Sequence, residues 1–157
     1  MARSWRWQVD RRTTTGLPET FFLKLSQSYT AAAANRWDQA REFLTASGLY
    51  TYPDAVVICG PIILSGETIT NPTVLVEVLS PSTRAYDQGE KFELYRSIPT
   101  LRDYLLIEQN TIDVEHRWRD GDQWSSERKT SLEDVIRLNS IEVDLRIADL
   151  YARVQLD

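Results

Sequence analysis

The run Thr73-Val-Leu-Val-Glu-Val-Leu79 constrains this chain more than any other stretch. Aliphatic residues fill it except for Thr73 and a single acid, Glu77. An apolar run this continuous is the pattern of a strand covered on both faces, in the middle of a sheet rather than at its edge. A carboxylate in that setting is costly unless something pairs with it. The fold must therefore supply two covering layers and a partner for Glu77. A chain of 157 residues is the size of one domain that can do so.

The neighbouring segments fit an α/β plan. Residues 54–59 are rich in β-branched types and read as a strand, stopped by Gly60-Pro61. Residues 65–72 read as a loop. Asp87-Gln-Gly-Glu90 has the form of a capping box opening a helix to about Ser97. Residues 103–108 form a third apolar strand. Residues 112–118 alternate, with Val114, His116 and Trp118 on one face, and pair through Gly121-Asp122 with Trp124 to Lys129 as a hairpin. Leu132 to Leu138 reads as a short helix or turn, 141–147 as a strand and 147–154 as a short helix. Upstream, apolar residues from Phe21 to Leu44 recur at helical steps. Residues 1–16 read as a flexible N-terminal arm, and 17–157 as a single domain with a mixed β-sheet flanked by helices.

Charge narrows the function. The net charge is −5, with +3 on residues 1–50 and −8 on the rest. An acidic chain is a poor coat for DNA, because phosphate neutralisation supplies most of that affinity. An enzyme that touches nucleic acid through a metal ion is compatible with it, since the ion changes the local sign. With one cysteine, Cys59, a disulfide scaffold and a cysteine-based zinc site are excluded. No apolar run reaches the ~18 residues of a membrane span, so a cytoplasmic protein without a membrane partner is expected.

Three residues suggest chemistry. Pro53-Asp54 begins one strand, Glu77 lies near the exit of the next, and Lys91 lies on the first turn of the following helix. If the two strands pair as a hairpin, Asp54 and Glu77 project into one cavity. Two hard carboxylates with main-chain oxygens make a Mg²⁺ site, and a lysine beside it can position or deprotonate water. The competing reading is a strand-opening Asp and a structural Glu–Lys ion pair. A surface Lys91 paired with Glu93 or Asp87 is the corresponding alternative for the lysine.

These residues sit in a longer pattern. Tyr52-Pro-Asp-Ala-Val-Val-Ile-Cys-Gly60, Asn71-Pro-Thr-Val-Leu-Val-Glu-Val-Leu-Ser-Pro-Ser-Thr83, Tyr86-Asp-Gln-Gly-Glu-Lys-Phe-Glu-Leu-Tyr95 and Ile98-Pro-Thr-Leu-Arg-Asp-Tyr-Leu-Leu-Ile107 resemble the Uma2 family, a branch of the PD-(D/E)XK restriction-endonuclease-like fold. The resemblance spans about residues 45–151. It implies a restriction-endonuclease-like core and an endonuclease that hydrolyses DNA with Mg²⁺ or Mn²⁺. It implies Asp54 and Glu77 as metal ligands, with the backbone carbonyl of Val78 as a further one. Leu79 stands where the fold usually keeps its lysine, and Lys91 resembles the family's replacement. Tyr95, one helical turn on, is an auxiliary that orients Lys91 or contacts a phosphate, or else an aromatic packed against the sheet. Enzymes of this fold often work as homodimers.

Before residue 45 the chain departs from the family. The extra strand with a Glu-Leu-x-x-Gly-like motif and the loop with a His are not visible, and Ala31–Phe43 reads as polar helix. This motivates the alternative function, a catalytically inactive nuclease-like binding protein with a truncated or altered start. Other features favour bland roles. His116 has no second His or Cys near it. Ser80 and Ser82 lack a nucleophile elbow and read as turn and cap residues. Gly89 reads as room for close approach of backbone and substrate. A buried Lys91 is expected to cost stability, since charge burial costs more than an apolar replacement.

Overall fold

The computed structural model describes residues 5–9, 43–44, 50–66, 68–152, 154 and 156. Its centre is a six-stranded sheet in the order β1-β4-β7-β8-β9-β10. The strands are β1 (Trp5–Val9), β4 (Ala55–Cys59), β7 (Val74–Leu79), β8 (Asp103–Glu108), β9 (Val114–Asp120) and β10 (Gln123–Lys129). Only β7 and β8 run parallel; the other four pairings are antiparallel. A parallel pair needs a crossover connection. Here it contains two short helices, α1 (Arg84–Gln88) and α2 (Glu90–Tyr95). The short strands β2 (Phe43–Leu44), β3 (Tyr50–Thr51), β5 (Leu64–Ser65) and β6 (Thr68–Ile69) form a second sheet. A third sheet pairs β11 (Val135–Leu138) with β12 (Val143–Arg146), which leads into α3 (Ile147–Leu150).

Alternation along the central strands divides the core in two, because successive side chains point to opposite faces. Ala55, Val57, Val74, Val76, Leu105 and Ile107 face one side and pack against Ile136, Leu138, Leu145 and Ile147 of the small sheet and α3. Val56, Ile58, Leu75, Leu79, Tyr104 and Leu106 face the other and pack under Phe92 and Tyr95 of α2. Burying such side chains stabilises by about 1.5–3 kcal/mol each. The continuous apolar run at 73–79 is thus explained, since each face of β7 meets a separate core. Glu77 shares its face with Leu75 and Leu79, the side covered by α2.

The mixed sheet flanked by helices agrees with the sequence, and several elements differ. Trp5–Val9, assigned above to a flexible arm, is a strand along the outer edge of β4, with Trp5 opposite Cys59 and Val9 opposite Ala55. Trp5, Trp7 and Val9 alternate with polar residues, and an unpaired edge of β4 would expose main-chain groups that need partners. Phe43–Leu44, placed in the helical run, is a strand parallel to β6. The rest of that run lies outside the described residues. The loop at 65–72 contains the β5–β6 hairpin, and 135–138 is a strand rather than a helix or turn. The capping box does not form. Asp87 lies inside α1, neither helix has a side-chain cap, and the chain breaks at Gly89. A Cβ at Gly89 would stand 3.0 Å from the Ala85 carbonyl oxygen, so this glycine serves a close approach to the backbone of α1. No described helix is long and apolar enough to cross a membrane.

Candidate active site

The antiparallel register of β4 and β7 sets Ala55 opposite Val76. One step further out, Asp54 meets Glu77. Asp54 has the parity of Val56 and Ile58, so both carboxylates lie on the α2 face of the sheet. Asp54 Oδ2 accepts a 2.7 Å hydrogen bond from the Val78 amide, which pins the end of β4 to β7. The hairpin expected from the sequence is therefore present.

Above this pair, α2 places Lys91 and Tyr95 one turn apart on the face that meets the sheet. The Lys91 ammonium donates to Glu77 Oε1 at 2.8 Å and to Asp87 Oδ1 at 3.1 Å. The Tyr95 hydroxyl donates to the same Glu77 Oε1 at 3.0 Å and lies 3.0 Å from Thr51 Oγ1. Since the tyrosine proton goes to the carboxylate, Thr51 donates to Tyr95. Tyr104 donates its hydroxyl to the Asp87 main-chain carbonyl at 3.0 Å. Asp54, Glu77, Asp87 and Lys91 are all buried. Lys91 is thus no surface lysine, although Asp87 is indeed one of its partners.

Both donors to Glu77 converge on Oε1, and Oε2 has no hydrogen bond among the described residues. Nor, among the described residues, do three or more His, Cys, Asp or Glu side chains group to hold a metal ion. The geometry brings two carboxylates, Asp54 and Glu77, to one place as candidate oxygen ligands. Hard oxygens in small number suit Mg²⁺, which keeps several of its waters, and the unengaged Oε2 is the oxygen such an ion would use.

Residues 18–150 match the Uma2 family, described as "Putative restriction endonuclease". The chain belongs to the Uma2 family. It is 41% identical over 105 residues to the uncharacterized protein slr1290 of Synechocystis sp. (strain ATCC 27184 / PCC 6803 / Kazusa), covering 65% of this chain and 54% of that protein. It is 41% identical over 88 residues to the uncharacterized protein sll1609 of the same organism, covering 54% and 50%. The chain spans about half the length of the curated relatives it matches. The α/β core with its mixed sheet fits the restriction-endonuclease-like fold of this family, whose description suggests a nuclease-like function.

The electrostatics of the Uma2 site follow from burial. The Glu77 carboxyl is pushed up to about 7, chiefly by desolvation, with Asp54 and Asp87 adding to it against the pull of Lys91. The rise is the one two facing acids would give, but its main cause is burial rather than repulsion. Burial works against the Lys91 ammonium, and the Glu77 and Asp87 carboxylates outweigh it, so Lys91 is raised above its ordinary value and stays charged. The Tyr95 hydroxyl is raised well above its usual range by burial and by Glu77, and stays protonated. A buried carboxyl that keeps a proton near neutrality is one whose charged form a divalent ion would favour.

The sequence reading missed Asp87 as part of the site. Its spacing of four from Lys91 is the signal that was available. It also missed Thr51, for which no local signal exists, and the Arg84–Glu108 ion pair at 2.6 Å beyond the end of β7. The expectation that Lys91 costs stability is corrected by its two buried partners, since removing one member of such a group strands the others. Cys59 is half-buried, Ser80 bonds Ser82 and Thr83 in the exposed turn after β7, and His116 is buried in the sheet.

Proposed function

We propose that this Uma2 domain is a metal-dependent endonuclease that hydrolyses DNA phosphodiester bonds. The observation that carries the reading is the meeting of Asp54 and Glu77 on one face of the sheet with the Lys91 ammonium 2.8 Å from Glu77. Asp54, Glu77 through Oε2 and the Val78 carbonyl would hold Mg²⁺ or Mn²⁺. When bound, the ion polarises the phosphoryl group and acidifies water. Lys91, charged at working pH, is not a base in this scheme. It stabilises the charge that develops on phosphate and on the attacking hydroxide. Asp87 holds the ammonium in place, and Tyr95, held by Thr51, fixes the rotamer of Glu77. Cutting both strands of a duplex takes two such sites, so the reading includes a homodimer on DNA, and it places the protein in the cytoplasm.

The test is cleavage of plasmid, linear duplex and single-stranded DNA with Mn²⁺ or Mg²⁺, paired with calorimetric titration of the metal. The wild type is expected to bind metal saturably and to cut. Asp54→Asn is expected to lose both, and Lys91→Ala to lose cleavage while keeping metal binding. A folded wild type with no saturable binding at millimolar metal overturns the catalytic reading and leaves the nuclease-like binding protein in its place.

A further inference from the structure

At the opposite end of the central strands lies a cavity of about 690 Å³ that the site above does not use. It opens where β4 ends at Cys59 and where β7 and β8 begin. Five to six residues separate its Cys59 and Gly60 from Asp54, and four separate its Thr73 from Glu77, roughly 13–20 Å at ~3.3 Å per residue. Three arginines, Arg102, Arg119 and Arg137, are among the residues that line it. A volume of this size suits a small-molecule ligand.

Three observations give the cavity a sign. Arg119 is fixed by Nη2, which donates to the carbonyls of Arg96 and Ile98, while its Nε is buried with no hydrogen-bond partner among the described residues. A buried donor left unmade is expensive, so such a group points to a missing acceptor. The side chain of Arg102 is exposed and has no hydrogen bond or ion pair among the described residues. Arg137 pairs with Asp144 at 3.0 Å, but both side chains are about half exposed, and such a pair is weak and exchangeable. The one acid in the wall, Asp103, is already engaged on both oxygens, by His116 Nε2 at 2.8 Å and by the Ser140 hydroxyl. Neighbouring guanidinium groups of Arg102 and Arg96 depress the Arg119 value further after burial, with Asp122 as the only opposing acid. Positive charge is gathered here beyond what the described acids answer.

We infer that this cavity binds a phosphoryl group, held by Arg102 and Arg119 with Arg137 at its mouth. Guanidinium groups match tetrahedral oxyanions through forked donors, and Thr73 and Asn139 in the lining add neutral hydrogen-bonding groups. The same chemistry arises from a free nucleotide or from the backbone of a nucleic acid, and the site is independent of the metal-site reading.

The experiment is calorimetric titration of the metal-free protein in EDTA with inorganic phosphate, with deoxyadenosine monophosphate and with a short DNA duplex. Arg102→Glu is the key variant because its side chain has no structural partner. Arg128→Glu, on the far end of β10, controls for net charge. The wild type is expected to bind at least one probe, with Arg102→Glu about tenfold weaker or more, the loss of one charge-assisted contact. Arg128→Glu should match the wild type within about twofold. Tightest binding of the mononucleotide assigns a small ligand; binding confined to the duplex assigns backbone phosphate. No saturable binding by any probe, or equal binding by wild type and Arg102→Glu, overturns the proposal.

Discussion

Two groups, each a nitrogen base with two carboxylates, sit on opposite faces of the central sheet. On the α2 face, Lys91 lies between Glu77 and Asp87 at 2.8 and 3.1 Å. On the other face, His116 lies between Asp103 and Glu127 at 2.8 and 3.4 Å. Each is one nitrogen base held by two carboxylates, yet their surroundings differ. The histidine group is closed. Asp103 is completed by Ser140, Glu127 by Lys129 at 2.8 Å, and the imidazole packs 5.1 Å from the Trp118 ring. The lysine group is open on one side, where Asp54 adds a further acid and Glu77 keeps an oxygen without a hydrogen bond among the described residues. A completed network ties strands together. An incomplete one in the same low-dielectric interior stores an electrostatic demand that a ligand can meet.

Removal of the base separates the two groups most strongly. Lys91→Met strands Glu77 and Asp87 in the interior and is expected to cost about 3–5 kcal/mol in urea unfolding of the metal-free protein. Millimolar Mn²⁺ should restore part of that loss, because an ion that binds only the folded state adds to its stability. A melting temperature equal to wild type would show that Lys91 does not hold the two acids and would remove the contrast between the groups.

Acid titration comes next. Glu77 has its folded value raised from 4.5 to about 7, so the folded state holds that proton more tightly. Its contribution is fully present below about 4.5 and is lost as pH rises through about 7, on the order of 3 kcal/mol in all. Metal-free protein should melt at a higher temperature at pH 5.5 than at pH 8, and Glu77→Gln should flatten that slope. A wild-type profile that rises with pH across this window contradicts the account.

His116→Leu is expected to cost about 2 kcal/mol, since Asp103 keeps Ser140 as a donor. It should leave the rate of DNA cleavage at saturating metal unchanged, and a loss of cleavage out of proportion to unfolding would remove the distinction between the groups. Tyr95→Phe has the smallest effect, about 1 kcal/mol by thermal melting for the lost hydroxyl bonds. Its metal affinity should fall several-fold as Glu77 gains rotameric freedom, whereas a purely packing role for Tyr95 would leave affinity untouched.

Strands β4, β7 and β8 were legible because their periodicity is strong and their lengths match ordinary strands. Asp54 and Glu77 followed from them, since strand pairing and parity decide which side chains share a face. The Asp87–Lys91 pair was weighed only as a surface contact, because Gly89 makes a broken pair of helices look like the start of one. Strand β11 spans four residues, Val-Ile-Arg-Leu, in which only Ile136 and Leu138 are buried, too little alternation to separate strand from turn.

Local pattern carries information out to the length over which side chains repeat, a turn of helix or a few strand residues. Within that reach the chain specified a doubly covered β7, an acid inside it that required a partner, and a lysine one helix away to serve. Strand order lies beyond that reach. Trp5–Val9 becomes a strand because β4 presents an edge, Tyr95 meets Thr51 across 44 positions, and Arg102 and Arg119 come together because β8 and β9 are neighbours. Each of these contacts joins segments whose own sequences carry no mark of the other, so packing the sheet between its two cores was needed to bring them together.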